Sequence, residues 1–507
     1  MLLTGPLVAQ DVDGLADQFS YDGDVRARGI FLWRDLPLPS APVSEDDPRT
    51  EQGYDEYFFC KDYPTYCNSD GRKDSPRHEQ QDFYGMRFRL NLAFRPTSYA
   101  DILYGVEVGE LIFGRESQKY GPGSGGRGAG RTNLETRQLI FRLHNEADTV
   151  SGSVGVFSLS TPNGIVLATS GAGVRGVYEE PSIDSSFEGI YVRSVDNSRI
   201  DGDSNGFSDD NFVDIELGVA RWKWAGVSWL RSELYGVYRV DDDPSASDDT
   251  DSDQETSRMY WGGLHLNFNF GTWGFLLHGV GNWGRFHRPL SDDPFKDRYE
   301  FTEPFQSYLT EALKPPLREQ YRVNAGAGEA RIWYYVTDWI EVSLIAAGGS
   351  GRAPGDVEPD GTSIDYRPDQ FRTAGSGYQF SEIALDGSGG YSIFSAGRLT
   401  GVIAQGASVD FQVLETLSLF IAYFHIEALR TPTIDYNQNY TARFNQRKPT
   451  NYLGKEWNAA LTWKYSTDLD VVFKLATFDA GSGYKALQDV EYGDDLFESQ
   501  FYITQKF

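Results

Sequence analysis

Few cysteines, few histidines, few methionines and no long apolar run mark this chain of 507 residues. Its longest apolar stretches, LSLFIAYFHI at 417–426 and WGFLLHGVG at 273–281, fall well short of the roughly 18 residues that a membrane-spanning helix needs. A membrane is therefore open to this chain only as a barrel of strands. Basic residues are short as well, since 46 Lys and Arg face 74 Asp and Glu, for a net charge of −28. That balance argues against nucleic acid as a partner, because phosphate binding wants a basic surface. The six histidines (His78, His144, His265, His278, His287 and His425) stand in no local arrangement with Ser or Asp that reads as nucleophile and base. No catalytic function is expected. No repeat of about 20–50 residues is present to support a solenoid or propeller.

The only cysteines, Cys60 and Cys67, lie six residues apart, counted between them, in the polar stretch YFFCKDYPTYCNSD. They read as one loop disulfide in an oxidising compartment, since a metal site would need more Cys or a nearby His and His78 is isolated. The start, MLLTGPLVAQDVDGL, resembles the tail of a secretory leader. Residues 1–24 are accordingly read as a signal remnant with an N-terminal periplasmic segment, and 25–507 as a single barrel.

What the chain does have is glycine (54 residues), aromatics (14%) and strict alternation. In 83–95, Tyr84, Met86, Phe88, Leu90, Leu92 and Phe94 take one face while Arg87, Arg89 and Asn91 take the other. The same two-faced pattern runs through 99–113, 257–270, 454–465 and the C-terminal FESQFYITQKF. Each segment is long enough to cross a bilayer as a tilted strand. Very short links at 96–98, 271–272, 337–338 and 466–468 alternate with long polar ones near 36–81, 114–133, 160–210, 241–256, 286–320, 349–397, 429–453 and 479–495. Short turns on one side and long loops on the other are the layout of an outer-membrane barrel. The fold class is thus all-β, a transmembrane antiparallel β-barrel. About sixteen strands are clear, and two weaker ones, GIVLA and GIYVRSV inside 160–200, bring the expected number to eighteen.

The long loops carry the acid. DDDPSASDDTDSDQE at 241–255 holds eight carboxylates and no base, and reads as a solvated external loop. In DGDSNGFSDD, Asp201, Asp203, Asn205 and Asp209 space oxygen ligands around Gly206 as a Ca²⁺ loop would, although Phe212 stands where an EF-hand glutamate belongs. A Ca²⁺ ion there is the one cofactor expected. GPGSGG at 121–126 leads into no helix and is a plain loop, without a helix N-terminus to cradle phosphate.

Alternation assigns the lumen. Arg87, Arg89, Asp101, Glu107, Arg142, Arg231, Glu329, Arg331 and Glu341 are the expected pore-lining residues, with Asp214, Glu216, Glu233, Arg239, Glu456 and Lys464 also read as inward. Both signs interleave, and charged rings set selectivity through field and width.

Three stretches resemble the alginate-export family of outer-membrane barrels: LIFGRESQKYGPG at 111–123, IEVSLIAAGGSGRAPGD at 340–356 and GRLTGVIAQGASVDFQVLETLSLFIAYFHIEALR at 397–430. The resemblance implies an eighteen-stranded monomeric channel that passes an exopolysaccharide outward, fed by periplasmic export partners. Glu107, Glu216, Glu329 and Glu341 set this lumen apart from the strongly basic one that the family uses for a polyanion. A neutral or mixed-charge polymer, or another polar solute, fits as well. The leading expectation is polysaccharide export. A general or sugar diffusion porin, monomeric or trimeric, is the second, and a structural surface barrel with a plugged lumen the third. In each case the expected surroundings are outer-membrane lipid and lipopolysaccharide.

Overall fold

The computed structural model describes residues 18–35, 78–113, 134–195, 214–242, 256–287, 320–352, 369–374, 378–385, 399–432, 450–487 and 495–507. Alternating side chains build eighteen strands in chain order. The first six are β1 (Phe19–Asp35), β2 (His78–Thr97), β3 (Ala100–Phe113), β4 (Leu134–His144), β5 (Val150–Ser160) and β6 (Ala168–Glu180). Next come β7 (Ser185–Val195), β8 (Asp214–Val227), β9 (Leu230–Asp242), β10 (Thr256–Asn269), β11 (Trp273–His287) and β12 (Gln320–Thr337). The circuit continues with β13 (Ile340–Gly349), β14 (Val402–Leu414), β15 (Leu417–Ala428), β16 (Tyr452–Lys464), β17 (Leu469–Ala480) and β18 (Leu496–Lys506). A six-residue helix, α1 (Ser482–Leu487), follows β17. Every strand pairs antiparallel with its sequence neighbour, and β1 pairs with both β2 and β18, which closes the sheet. Closure leaves no open edge, the condition for strands to survive in hydrocarbon.

The connections sort by side. Turns at 98–99, 145–149, 181–184, 228–229, 270–272, 338–339, 415–416 and 465–468 lie at one end, and the remaining links, all but one much longer, at the other. The outer face is apolar: Leu139, Phe141, Val154, Leu234, Leu264, Ile332, Leu344 and Leu461 stand exposed. Near the short turns Trp229, Phe268, Phe270, Trp273 and Phe275 stack with centroids 4.2–6.2 Å apart. Such a girdle marks a membrane–water interface. The chain is a closed antiparallel β-barrel of eighteen strands with an apolar outer face fit for a bilayer.

The C-terminus completes the circle. Phe507 donates its N–H to the Gly23 carbonyl and accepts from the Gly23 N–H, both at 3.1 Å. Its ring stacks outward on Phe88 at 5.9 Å.

Across the outer face runs an unbroken row of small residues in direct cross-strand register: Gly152, Gly176, Gly189, Ala220, Gly236, Gly262, Gly281 and Gly326. A Cβ at Gly152, Gly176 or Gly189 would meet nothing within 4 Å. This strip is smooth because side chains are missing, while the rows flanking it carry Tyr178, Phe187 and Trp222 on one side and Tyr191, Tyr238 and Tyr260 on the other.

Three expectations need correction. First, β1 begins at Phe19, so residues 19–24 belong to the barrel, because Asp22 and Asp24 continue the inward alternation opposite Asn91 and Arg89. Second, GIVLA is no strand. Pro162, Asn163 at φ 53° and Gly164 at φ 69° make a tight link instead, and β6 begins at Ala168. GIYVRSV, by contrast, lies inside β7. Third, Glu216 faces outward, paired with Arg193 at 3.1 Å, because β8 turns Leu217 and Val219 into the barrel. The assumption that polar residues point inward fails where the interior itself is apolar.

Candidate functional site

The interior has two unlike walls. Along β1–β4 it is charged. Arg87 pairs with Asp24 at 3.0 Å, and Glu107 receives both Arg89 (2.5 Å) and Arg137 (2.6 Å). Asp101 is buried between Arg95 (2.7 Å), Arg142 (3.3 Å) and His144 (3.4 Å), and Arg142 also reaches Asp148. Register explains these pairs, since Arg89 stands directly opposite Glu107 and Asp101 directly opposite Arg142. Opposed unlike charges stabilise such a pairing by roughly 0.2–1 kcal/mol each. Beyond β4 the pattern continues with Glu188 between Arg175 (2.5 Å) and Arg221 (2.8 Å). On β12 and β13, Arg331 joins Glu341 at 2.6 Å and Ser343 at 3.0 Å. Arg231 is exposed at the short-turn end of β9, apart from these groups.

The other wall is apolar, which the outward-facing rule for barrels does not foresee. Phe157, Leu159, Val192, Leu217, Val219, Val237, Trp261 and Val280 point inward and are buried. They are covered by chain that enters the barrel. The link after β5 contributes Ile165, Val166 and Leu167, all at most 1% exposed, and is closed on itself by Thr161, whose hydroxyl accepts from the Val166 and Leu167 amides. The larger insert is residues 369–374 and 378–385, from the connection between β13 and β14, with Phe371, Tyr378, Ile383, Ala384 and Leu385 buried. The expected external loop at 349–397 is thus, in this part, an internal one.

Polar ties fix the insert at three stations. At β10 and β11, Trp261 donates to the Arg372 carbonyl at 2.7 Å, and the Arg372 N–H donates to Asn282 at 3.2 Å. Toward the β5–β6 link, the Ala374 N–H donates to the Val166 carbonyl at 2.8 Å. At β16, the fully buried Glu456 accepts from Ser381 Oγ (2.8 Å) and from the N–H groups of Glu382, Ile383 and Ala384 (2.9 Å each). Among the described residues no Lys or Arg pairs with this carboxylate; three backbone amides, the Ser381 hydroxyl and the Asn458 side chain hold it. Glu329 on β12 is shared by both inserts. It accepts from Tyr378 Oη at 2.9 Å and from Asn163 of the β5–β6 link, with His278 at 3.6 Å. His278 in turn meets Tyr235 Oη at 2.8 Å. Burial, then the Glu329 charge, pushes the Tyr378 hydroxyl well above its usual range, so it remains a donor.

Alternation alone reaches Arg87, Arg89, Asp101, Glu107, Arg142, Arg331 and Glu341 as inward residues, and the structure joins most of them into pairs. It does not reach Asn163, Trp261, Asn282, Tyr378 or Ser381. Their partners lie 49 to 166 residues away in sequence, a separation that leaves no local signal. Cys60, Cys67, Asp201, Asp203, Asn205 and Asp209 lie outside the described residues. Among the described residues no group of three His, Cys, Asp or Glu could hold a metal ion.

No protein-family model matches the chain, and no curated protein matches it. Solved structures of Pseudomonas aeruginosa outer-membrane proteins are similar in outline. OccK5 (OpdH) superposes with a TM-score of 0.47 at 10% identity, over 96% of this chain and 98% of that one. The outer membrane protein OpdK gives 0.48 at 10% identity, over 96% and 99%. OccK2 (OpdF) in complex with glucuronate gives 0.47 at 10% identity, over 96% and 98%. The likeness is to outer-membrane barrels in general and not to alginate export in particular.

Proposed function

We propose that this barrel is a channel through which small polar solutes diffuse across the outer membrane, narrowed by residues 369–385, and not a conduit for an exported polysaccharide. One observation carries the reading. The insert touches the wall at β10–β12 and at β16, stations about five strands apart on a ring of eighteen, and meets the infolded β5–β6 link between them. A segment in contact with both crosses part of the lumen as a chord. An open barrel of this size encloses an aqueous channel. Here the passage is confined to the space between the insert and the β18–β4 wall, where Arg87, Arg89, Glu107 and Arg137 stand. Width then selects small solutes, and mixed charge selects polar ones. Outer-membrane lipid surrounds the apolar outer face.

Liposome swelling with the purified protein tests this, using monosaccharides, sugar acids and oligosaccharides of rising length. Swelling rates should fall steeply beyond disaccharides, with steady ohmic currents in planar bilayers. Equal passage of long oligosaccharides would restore the export reading. Absence of any current would mean a plugged structural barrel.

A further inference from the structure

We propose that Glu382, carried on the insert, is the residue that sets ion selectivity in the remaining passage, by masking Lys474 on β17, the strand next to the one that clamps the insert; this rests on the channel reading. Both Glu382 carboxylate oxygens receive the Lys474 ammonium, at 2.9 and 3.0 Å. Lys474 lies on β17 with Ala476 and Phe478, on the inward alternation, opposite the outward Phe473. The two side chains remain 27% and 21% exposed, so the pair borders the open lumen and does not sit within the apolar core.

The pair is set by its neighbours. The Glu382 N–H donates to Glu456, as do the next two amides, so the backbone carrying this carboxylate is clamped in place. Gln379 adds a side-chain hydrogen bond to Glu382 at 3.3 Å. On the wall side the Lys474 ammonium lies 5.8 Å from the centre of the Tyr502 ring, and the Arg26 guanidinium approaches the same ring at 5.8 Å. Two cations thus share one aromatic face pair, an arrangement that holds each of them by cation–π attraction. Arg87 and Glu107 nearby already have partners on the wall itself. Glu382 differs in that its charge comes from the insert, docked on β16 beside the β17 strand that carries Lys474. Its presence or absence decides whether Lys474 meets a passing ion with its charge compensated or not.

Glu456 is a positioning residue in this scheme, since it acts by holding the Glu382 backbone. Glu382 and Lys474 act on the ion directly. A unit charge about 6 Å from a permeating ion in water changes its local concentration about threefold. Salt screens the effect, so it is largest at low ionic strength.

The test is reversal potential in planar bilayers under a KCl gradient, with the full-length protein and the variants E382Q, K474M and E382Q/K474M. Folding is checked by heat-modifiable gel mobility. At low ionic strength E382Q should raise the anion-to-cation permeability ratio by about tenfold, the anion being enriched and the cation depleted about threefold each, and K474M should lower it by a similar factor by leaving Glu382 uncompensated. The double variant should return to the wild-type value. Conducting channels whose reversal potentials do not move in either single variant would overturn the proposal and leave the channel reading standing. A double variant that keeps the shift of one single variant would also overturn it. A wild-type protein that carries no current would defeat the channel reading, and this inference with it.

Discussion

Removing the Glu456 carboxylate should undock the insert without opening the barrel. Glu456→Ala strips the partner from three backbone amides and the Ser381 hydroxyl, at a site that is 0% exposed. An unsatisfied buried donor costs roughly 1–3 kcal/mol, so the three amides alone set a scale of about 3–9 kcal/mol. Part of this is offset, because burying a carboxylate is itself costly. A net loss on the order of 3–5 kcal/mol follows, comparable to breaking a buried ion pair. That is roughly two to four powers of ten in the docked population. The strand ladders lose nothing, since the β16 pairings to β15 and β17 are made by backbone. Two assays report it. Single-channel currents should rise and become noisy, and trypsin should cut within the insert at Arg372, which the docked state shields. Glu456→Gln should behave similarly, because its amide NH₂ would face N–H donors. A Glu456→Ala channel with wild-type conductance and wild-type resistance to trypsin would show that the insert does not depend on this carboxylate.

Charge reversal of Arg87 and Arg89 together leaves Asp24 and Glu107 facing new carboxylates, and should shift reversal potentials toward cations by several-fold in permeability ratio. Gly155→Ala should impair assembly, because Gly155 has φ 147° and an added Cβ would fall 1.9 Å from the Leu139 carbonyl. The strained backbone alone costs roughly 1–3 kcal/mol. Gly189→Ala, with nothing within 4 Å, should leave the unfolding temperature on heat-modifiable gels unchanged.

Where a strand meets lipid on one face and water on the other, its alternation is plain. The segments at 83–95, 99–113, 257–270, 454–465 and the C-terminus become β2, β3, β10, β16 and β18 with the expected faces. β6 is harder to read, because ATSGAGVRGVYEE places glycine at three positions and few apolar residues on its lipid side. β8 misleads for a different reason. Its inward face holds Leu217 and Val219, which cover inserted chain, so apolarity marks both faces and the phase is lost. The inserts are the least legible. Residues 369–385 mix polar and apolar residues in no particular period, and nothing local tells an internal segment from an external loop. What fixes them is a set of side chains on four distant strands: Glu329, Glu456, Trp261 and Asn282. Glu456 was visible as an inward carboxylate, but its role required knowing which amides it would meet.

The most direct test compares the pore sizes of the wild-type protein and a variant with residues 369–385 replaced by a short Gly–Ser link. Bilayer conductance is measured while neutral polymers of graded size are added. The wild-type channel should exclude all but the smallest polymers, and the variant should admit distinctly larger ones at higher conductance. Identical cutoffs and conductances in the two proteins would contradict a lumen narrowed by this segment.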